Sequence, residues 1–152
     1  MIKVMFVCTG NICRSPMAEA VFQNLVREAG LEDKFEIQSS GTGAWHIGER
    51  PHYGTQEVLK KNQVRLDPAK RAQQFKGHHY DEFDYILVMD TPNMNHFRSS
   101  DKKVKRLLDF APAGSPKDVP DPYYEDNFDY VFDLVTAGSK GLLAYIRKQE
   151  NI

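Results

Sequence analysis

Residues Ile2–Pro16 read IKVMFVCTGNICRSP, and this stretch decides the fold. Ile2–Cys8 is a short, mainly apolar run that stops at Thr9-Gly10, the pattern of a buried strand followed by a turn. Ser15-Pro16 then reads as the N-cap and first position of a helix. Ala18, Val21, Phe22, Leu25 and Ala29 follow at helical spacing on one face, and Gly30 supplies the stop.

Outward from this unit the same alternation continues. Phe35–Ser39 is expected to be a second strand, Thr55–Asn62 a short helix, Asp84–Asp90 (DYILVMD) another buried strand, and Pro92–Ser99 a helix after it. Val104–Phe110 is expected to be a fourth strand. Residues 111–126 hold Pro112, Pro116, Pro120 and Pro122 and read as a loop. Phe128, Val131, Phe132, Val135, Leu142 and Ile146 share one face of a last helix, which Gly138 and Gly141 should weaken locally. Alternating strands and helices mean an α/β sandwich with a mostly parallel sheet, and 152 residues suit a single domain, 1–152. In such folds ligands bind beyond the carboxyl ends of the strands, so the turn after Ile2–Cys8 is where a site is expected.

Composition narrows the function. Lys plus Arg is 20 against 21 for Asp plus Glu, which leaves no basic footprint for nucleic acid. The longest apolar runs, Val4–Cys8 and Tyr85–Met89, have five residues each, against the roughly 20 a membrane span needs and the roughly 7–15 of an export signal. The only cysteines, Cys8 and Cys13, lie too close together to staple a secreted domain, so a cytoplasmic setting is expected.

The turn itself carries chemistry. A thiol at Cys8 ends the strand and Arg14 follows six positions on, with Gly10 and Asn11, residues that tolerate left-handed backbone, between them. A loop that wraps before a helix N-terminus aims several N–H groups into one concavity, and that is an anion site. Arg14 can fork two phosphate oxygens. The same surroundings favour the Cys8 thiolate, placed at the base of the cradle for in-line attack on phosphorus. A Ser15 hydroxyl bonded to that sulfur would stabilise it as a leaving group.

Taken with the distant Asp121–Tyr124 (DPYY), the Val7–Ala20 stretch VCTGNICRSPMAEA resembles the low-molecular-weight protein tyrosine phosphatases. Ser39–Gly48 (SSGTGAWHIG) and Asp84–Asp90 add support, and the resemblance spans nearly the whole chain. It implies a three-layer sandwich with a four-stranded parallel sheet, helices on both faces and the phosphate loop after the first strand. It also implies hydrolysis through a cysteinyl-phosphate without metal or cofactor, acting on phosphotyrosine-containing proteins, with the chain a monomer or weak dimer. Cys8 then matches the nucleophile and Arg14 the phosphate clamp. Thr9, Gly10, Asn11, Ile12, Cys13 and Ser15 complete the phosphate-binding loop. Trp45, Tyr123 and Tyr124 match the walls of the cleft, and Ser40 matches the residue that bonds Asn11. In this family a pair like Cys8 and Cys13 forms a reversible disulfide that shields the nucleophile from over-oxidation.

Departure of a phenolate needs a proton, and the loop holds no acid. Asp121 lies between Pro120 and Pro122, which hold its backbone extended and its carboxyl steady. The resemblance assigns it as general acid and then as base toward water; the alternative is a turn residue bonding its own backbone. Pro68–Gln73 (PAKRAQ) departs from the family, where many members carry His or Ser ahead of a basic, Gln-containing segment. His78-His79 is expected to be a solvated turn rather than a metal site, and Lys102–Arg106 a solvated basic approach to a strand.

Two relatives on the same scaffold offer other activities. Arsenate reductases need further cysteines to carry the oxidation away, and none follows Cys13. Phosphoarginine phosphatases carry Thr where Ile12 stands, and an apolar Ile12 suits a flat ring better than a guanidinium.

Overall fold

The computed structural model describes residues 1–98 and 102–152. Val4, Met5, Phe6 and Val7 are wholly inaccessible to solvent, so their strand needs an apolar layer on each side. That strand, β1 (Ile2–Cys8), lies inside a four-stranded parallel sheet of order β2-β1-β3-β4, with β2 at Phe35–Gly41, β3 at Tyr85–Val88 and β4 at Val104–Arg106. Side-chain alternation splits its residues. Val4, Phe6 and Cys8 face a core built with α1 (Arg14–Glu28) and α6 (Phe128–Glu150), while Met5 and Val7 face a smaller cluster with Phe83, Ile86, Val88 and Val104. Between β2 and β3 the chain forms α2 (Tyr53–Lys61), which packs on α1 and α6, and α3 (Gly77–Glu82). Tyr80 of α3 and Met94 of α4 (Thr91–Met94) cover the smaller cluster, so helices lie on both faces as expected.

Several expected elements differ in extent. The second strand runs on to Gly41 because it stays paired with β1 as far as Cys8. The fourth strand stops at Arg106, and Leu107–Phe110 coil into a 3-10 turn that packs on α6. Gly138 and Gly141 allow that packing: a Cβ on Gly141 would collide with the Phe110 carbonyl, so these glycines serve close approach. The helix after β3 begins at Thr91 and ends at Met94; the expected boundary at Ser99 lies outside the described residues. The proline-rich loop contains a further short helix, α5 (Pro122–Glu125), capped by Asp121. His78-His79 is not a solvated turn but part of α3, with His79 buried and accepting the Lys76 backbone N–H at 2.9 Å. Burial, with His78 adding to it, lowers the His79 pKa.

The sheet order brings the carboxyl ends of β1 and β3 side by side. The Cys8–Ser15 loop leaves one and Asp90 follows the other, which is where a switch point places a ligand.

Candidate active site

The helix after β1 starts at Arg14 with Cys13 at its cap position, and no side chain caps it. Ser15 was the expected cap. Its hydroxyl is engaged elsewhere, 3.0 Å from Cys8 Sγ and accepting from Asn11 Nδ2 at 2.7 Å. The Asn11 backbone N–H also donates to Cys8 Sγ, at 3.3 Å. Donors of this kind bond a charged sulfur more strongly than a neutral one. Asn11 has φ 57°, the left-handed turn that bends the loop around the sulfur. Gly10 does not have positive φ; a Cβ there would sit 2.9 Å from the His46 ring, so its role is close approach.

Arg14 is 2% exposed and anchored at one end. Its Nη1 donates to Asp90 Oδ2 at 2.5 Å and to the Val119 carbonyl at 3.0 Å. Among the described residues Nη2 has only a long bond to Thr9 Oγ1, 3.4 Å, and faces Asp121 Oδ2 at 3.6 Å, and buried Nε has no partner. The anchored face therefore fixes the plane of the guanidinium, and Nε and Nη2 remain as a two-donor fork. Burial opposes the charge, but the neighbouring Cys8 sulfur and the bond and charge of Asp90 outweigh it, so the Arg14 pKa is raised.

Asp121 reaches the same cleft from the far side. Its backbone is extended, Oδ1 accepts from the Tyr123 N–H at 3.1 Å, and Oδ2 faces Arg14. Asp121 therefore caps a turn with one oxygen and presents the other to the site. Cys8, Thr9, Gly10, Ile12, Cys13, Arg14, Trp45, His46, Asp121, Tyr123 and Tyr124 line a cleft of about 390 Å³. Trp45 and Tyr124 are 73% and 83% exposed, so they form the mouth rather than the core. Asn11 and Ser15, expected in the phosphate-binding loop, are buried, and their polar groups bond Cys8 Sγ rather than lining the cleft. Cys13 does line it, but burial first, with Cys8 and Asp121 adding, pushes its thiol up to about 12.

The expected Ser40–Asn11 bond is not formed. Asn11 Nδ2 donates to Ser39 Oγ at 3.0 Å, while the Ser40 hydroxyl turns to Met5 Sδ at 3.3 Å. The pleat explains the exchange: Ser39 pairs with Phe6 and shares its face, whereas Ser40 pairs with Val7 and faces the other core.

The family model described as "low molecular weight phosphotyrosine protein phosphatase" matches residues 3–151. The chain belongs to this family. It is 46% identical over 157 aligned residues to the low molecular weight protein-tyrosine-phosphatase YfkJ of Bacillus subtilis, covering all of both chains. It is 40% identical to PtpA of Staphylococcus aureus, covering all of this chain and 98% of that one. The crystal structure of YfkJ superposes with a TM-score of 0.94, covering 98% of this chain and 96% of that one. A Drosophila arginine phosphatase superposes at 0.86 with 27% identity, covering 96% and 98%.

Within this phosphatase fold, some parts of the site had no clear sequence signal. His46 lines the cleft beside Trp45 and pairs with Glu49 at 2.9 Å, yet an isolated His in a loop signals nothing. The Val119 carbonyl that anchors Arg14 is main chain and invisible to residue type. Asp90, just beyond the end of β3, is the second anchor.

Proposed function

We propose that this chain hydrolyses phosphotyrosine in proteins, with Cys8 as nucleophile, Arg14 as clamp and Asp121 as proton donor and acceptor. One observation carries the reading: a buried arginine with one edge tied to Asp90 and Val119 turns its remaining fork over the Cys8 loop. In the first step Cys8 Sγ attacks phosphorus, the S–P bond forms and the P–O bond to the phenol breaks. Asp121 gives its proton to the departing oxygen. The equatorial oxygens lie on the loop N–H groups and the Arg14 fork, where charge develops. In the second step water attacks phosphorus, Asp121 takes its proton, and the S–P electrons return to Cys8. Inorganic phosphate leaves and the enzyme is restored.

The exposed Trp45 and Tyr124, with Tyr123, form walls for a flat ring at the mouth of the cleft. Ile12, in the lining, gives an aromatic ring an apolar contact and a guanidinium nothing polar. A cytoplasmic location fits the two free thiols. The test is turnover of phosphotyrosine, phosphoserine and phosphoarginine peptides side by side. Phosphotyrosine should lead, and Ile12→Thr should raise the phosphoarginine to phosphotyrosine ratio of kcat/KM. A wild type that prefers phosphoarginine would replace this reading with arginine phosphatase activity.

A further inference from the structure

Lys70 is 9% exposed and lies beneath the phosphate loop, outside the cleft. It belongs to the Pro68–Gln73 segment in which the sequence leaves the family pattern. Its Nζ donates to the Ser39 carbonyl at 2.9 Å and pairs with Glu19 Oε1 of α1 at 3.5 Å. The segment is itself held, because Arg50 Nη1 bonds the Lys70 carbonyl at 2.8 Å. A buried charged pair of this kind calls for a reason, since burial works against both charges. Burial raises the Glu19 pKa and lowers that of Lys70, and in each case the partner opposes the shift.

The reason lies in the direction of the hydrogen bonds. Glu19 Oε1 accepts the Ser39 hydroxyl proton at 2.5 Å, and a carboxylate can only accept. Ser39 Oγ is then left to accept, and it does so from Asn11 Nδ2. The opposite edge of that amide is fixed independently, because Asn11 Oδ1 accepts the Gln73 backbone N–H at 2.9 Å. The second Nδ2 hydrogen goes to Ser15 Oγ, so Ser15 must send its own proton onward. Two acceptors lie within reach: Cys8 Sγ at 3.0 Å and the Ser40 carbonyl at 3.3 Å. With Asn11 held, the nearer sulfur receives it.

We propose that Lys70 and Glu19 are a positioning pair for the nucleophile: through Ser39 and Asn11 they orient the Ser15 hydroxyl as a donor to Cys8. This rests on the reading of Cys8 as nucleophile. Lys70 keeps Glu19 ionised, and Glu19 sets the polarity of every donor between itself and the sulfur. Without the pair, the Ser39 hydroxyl is free to turn, the Asn11 bond slackens, and the Ser15 proton can swing to the Ser40 carbonyl. The step that suffers most is hydrolysis of the cysteinyl-phosphate, in which sulfur departs as thiolate.

The experiment compares wild type, Lys70→Met and the double variant Glu19→Met/Lys70→Met on p-nitrophenyl phosphate, under steady-state and stopped-flow conditions. The double variant removes both charges together, so no unpaired charge stays buried and its melting temperature should lie near that of wild type. Both variants should lose about tenfold in kcat, with KM falling alongside and kcat/KM held within about threefold, as expected when the second step slows. The p-nitrophenolate burst should grow. A merely structural pair would lower the melting temperature of the single variant and leave kcat and the burst of the folded double variant at wild-type values, and that result overturns the proposal. An inactive wild type, or an active Cys8→Ser, would instead overturn the reading of Cys8 on which it rests.

Discussion

Asp121 shows how one side chain holds two tasks at the scale of a residue. Oδ1 caps the Tyr123 N–H and Oδ2 faces the cleft, so a substitution that keeps the cap separates structure from proton transfer. Asp121→Asn retains the capping oxygen. It should slow formation of the cysteinyl-phosphate far more with phosphotyrosine, whose phenol has a pKa near 10, than with p-nitrophenyl phosphate, which needs less help to leave. Single-turnover rates on both esters measure this, and equal losses would remove Asp121 from proton transfer. Cys13 gives a second residue-scale prediction. In the unfolded chain its thiol ionises near pH 9, whereas in the fold burial holds the proton to about 12. Ionisation between these values favours the unfolded chain. The Cys13 contribution is therefore intact below pH 9 and is lost as pH rises toward 12, by up to about 1.4 kcal/mol per unit. Urea midpoints from pH 9 to 11 should fall more steeply in wild type than in Cys13→Ala, and parallel curves would refute the shift.

At the scale of elements, the contact between α6 and the 3-10 turn at Leu107–Phe110 depends on the absence of side chains at Gly138 and Gly141. Helix propensity alone predicts that Gly141→Ala gains up to about 1 kcal/mol. The added Cβ meets the Phe110 carbonyl, which is main chain and cannot rotate away, so overpacking of about 1–3 kcal/mol should win. Chemical denaturation should show net destabilisation, and a more stable variant would mean that the turn moves freely. These glycines also show where the sequence stopped being legible. Residues 2–16 announce strand, loop and helix because periodicity and turn chemistry are local, and Cys8 and Arg14 stand out by type and spacing, whereas Asp121 is assigned through the resemblance of its DPYY motif. The end of β4 at Arg106 and the α6 glycines depend on which element packs against which, and no local pattern carries that. The exchange of Ser40 for Ser39 is of the same origin: adjacent serines look alike until the register with β1 assigns each a face. Lys70 lies in the Pro68–Gln73 segment that departs from the family pattern, but its pairing with Glu19 appears only once α1 and that segment are brought together.

At the scale of the molecule, the cleft is assembled from three separated segments: residues 8–14 after β1, Trp45 and His46 after β2, and Asp121–Tyr124 before α6. Arg14 ties the first of these to the third, bonding Asp90 beyond β3 and Val119 in the proline-rich loop while facing Asp121. An anion seated on the Arg14 fork and the loop N–H groups should therefore stabilise the whole fold. Binding linkage gives about 2.7 kcal/mol when ligand stands at 100 times its Kd, and for about 150 residues each kcal/mol moves Tm by about 2–4 °C. Inorganic phosphate at that excess should raise Tm by roughly 5–10 °C. Cys8→Ser should keep most of that shift while losing turnover, because the cradle survives and the phosphate loop holds no His base to activate a serine hydroxyl. Arg14→Ala should lose most of the shift as well as turnover, since it removes the fork and leaves Asp90 and Asp121 facing the anion uncompensated. Arg14→Lys should fall between these in the thermal shift, because a point ammonium restores charge but not the planar pair of donors. Calorimetric scans of the variants with and without phosphate decide the matter. A full shift in Arg14→Ala would place the stabilising anion somewhere other than this cleft.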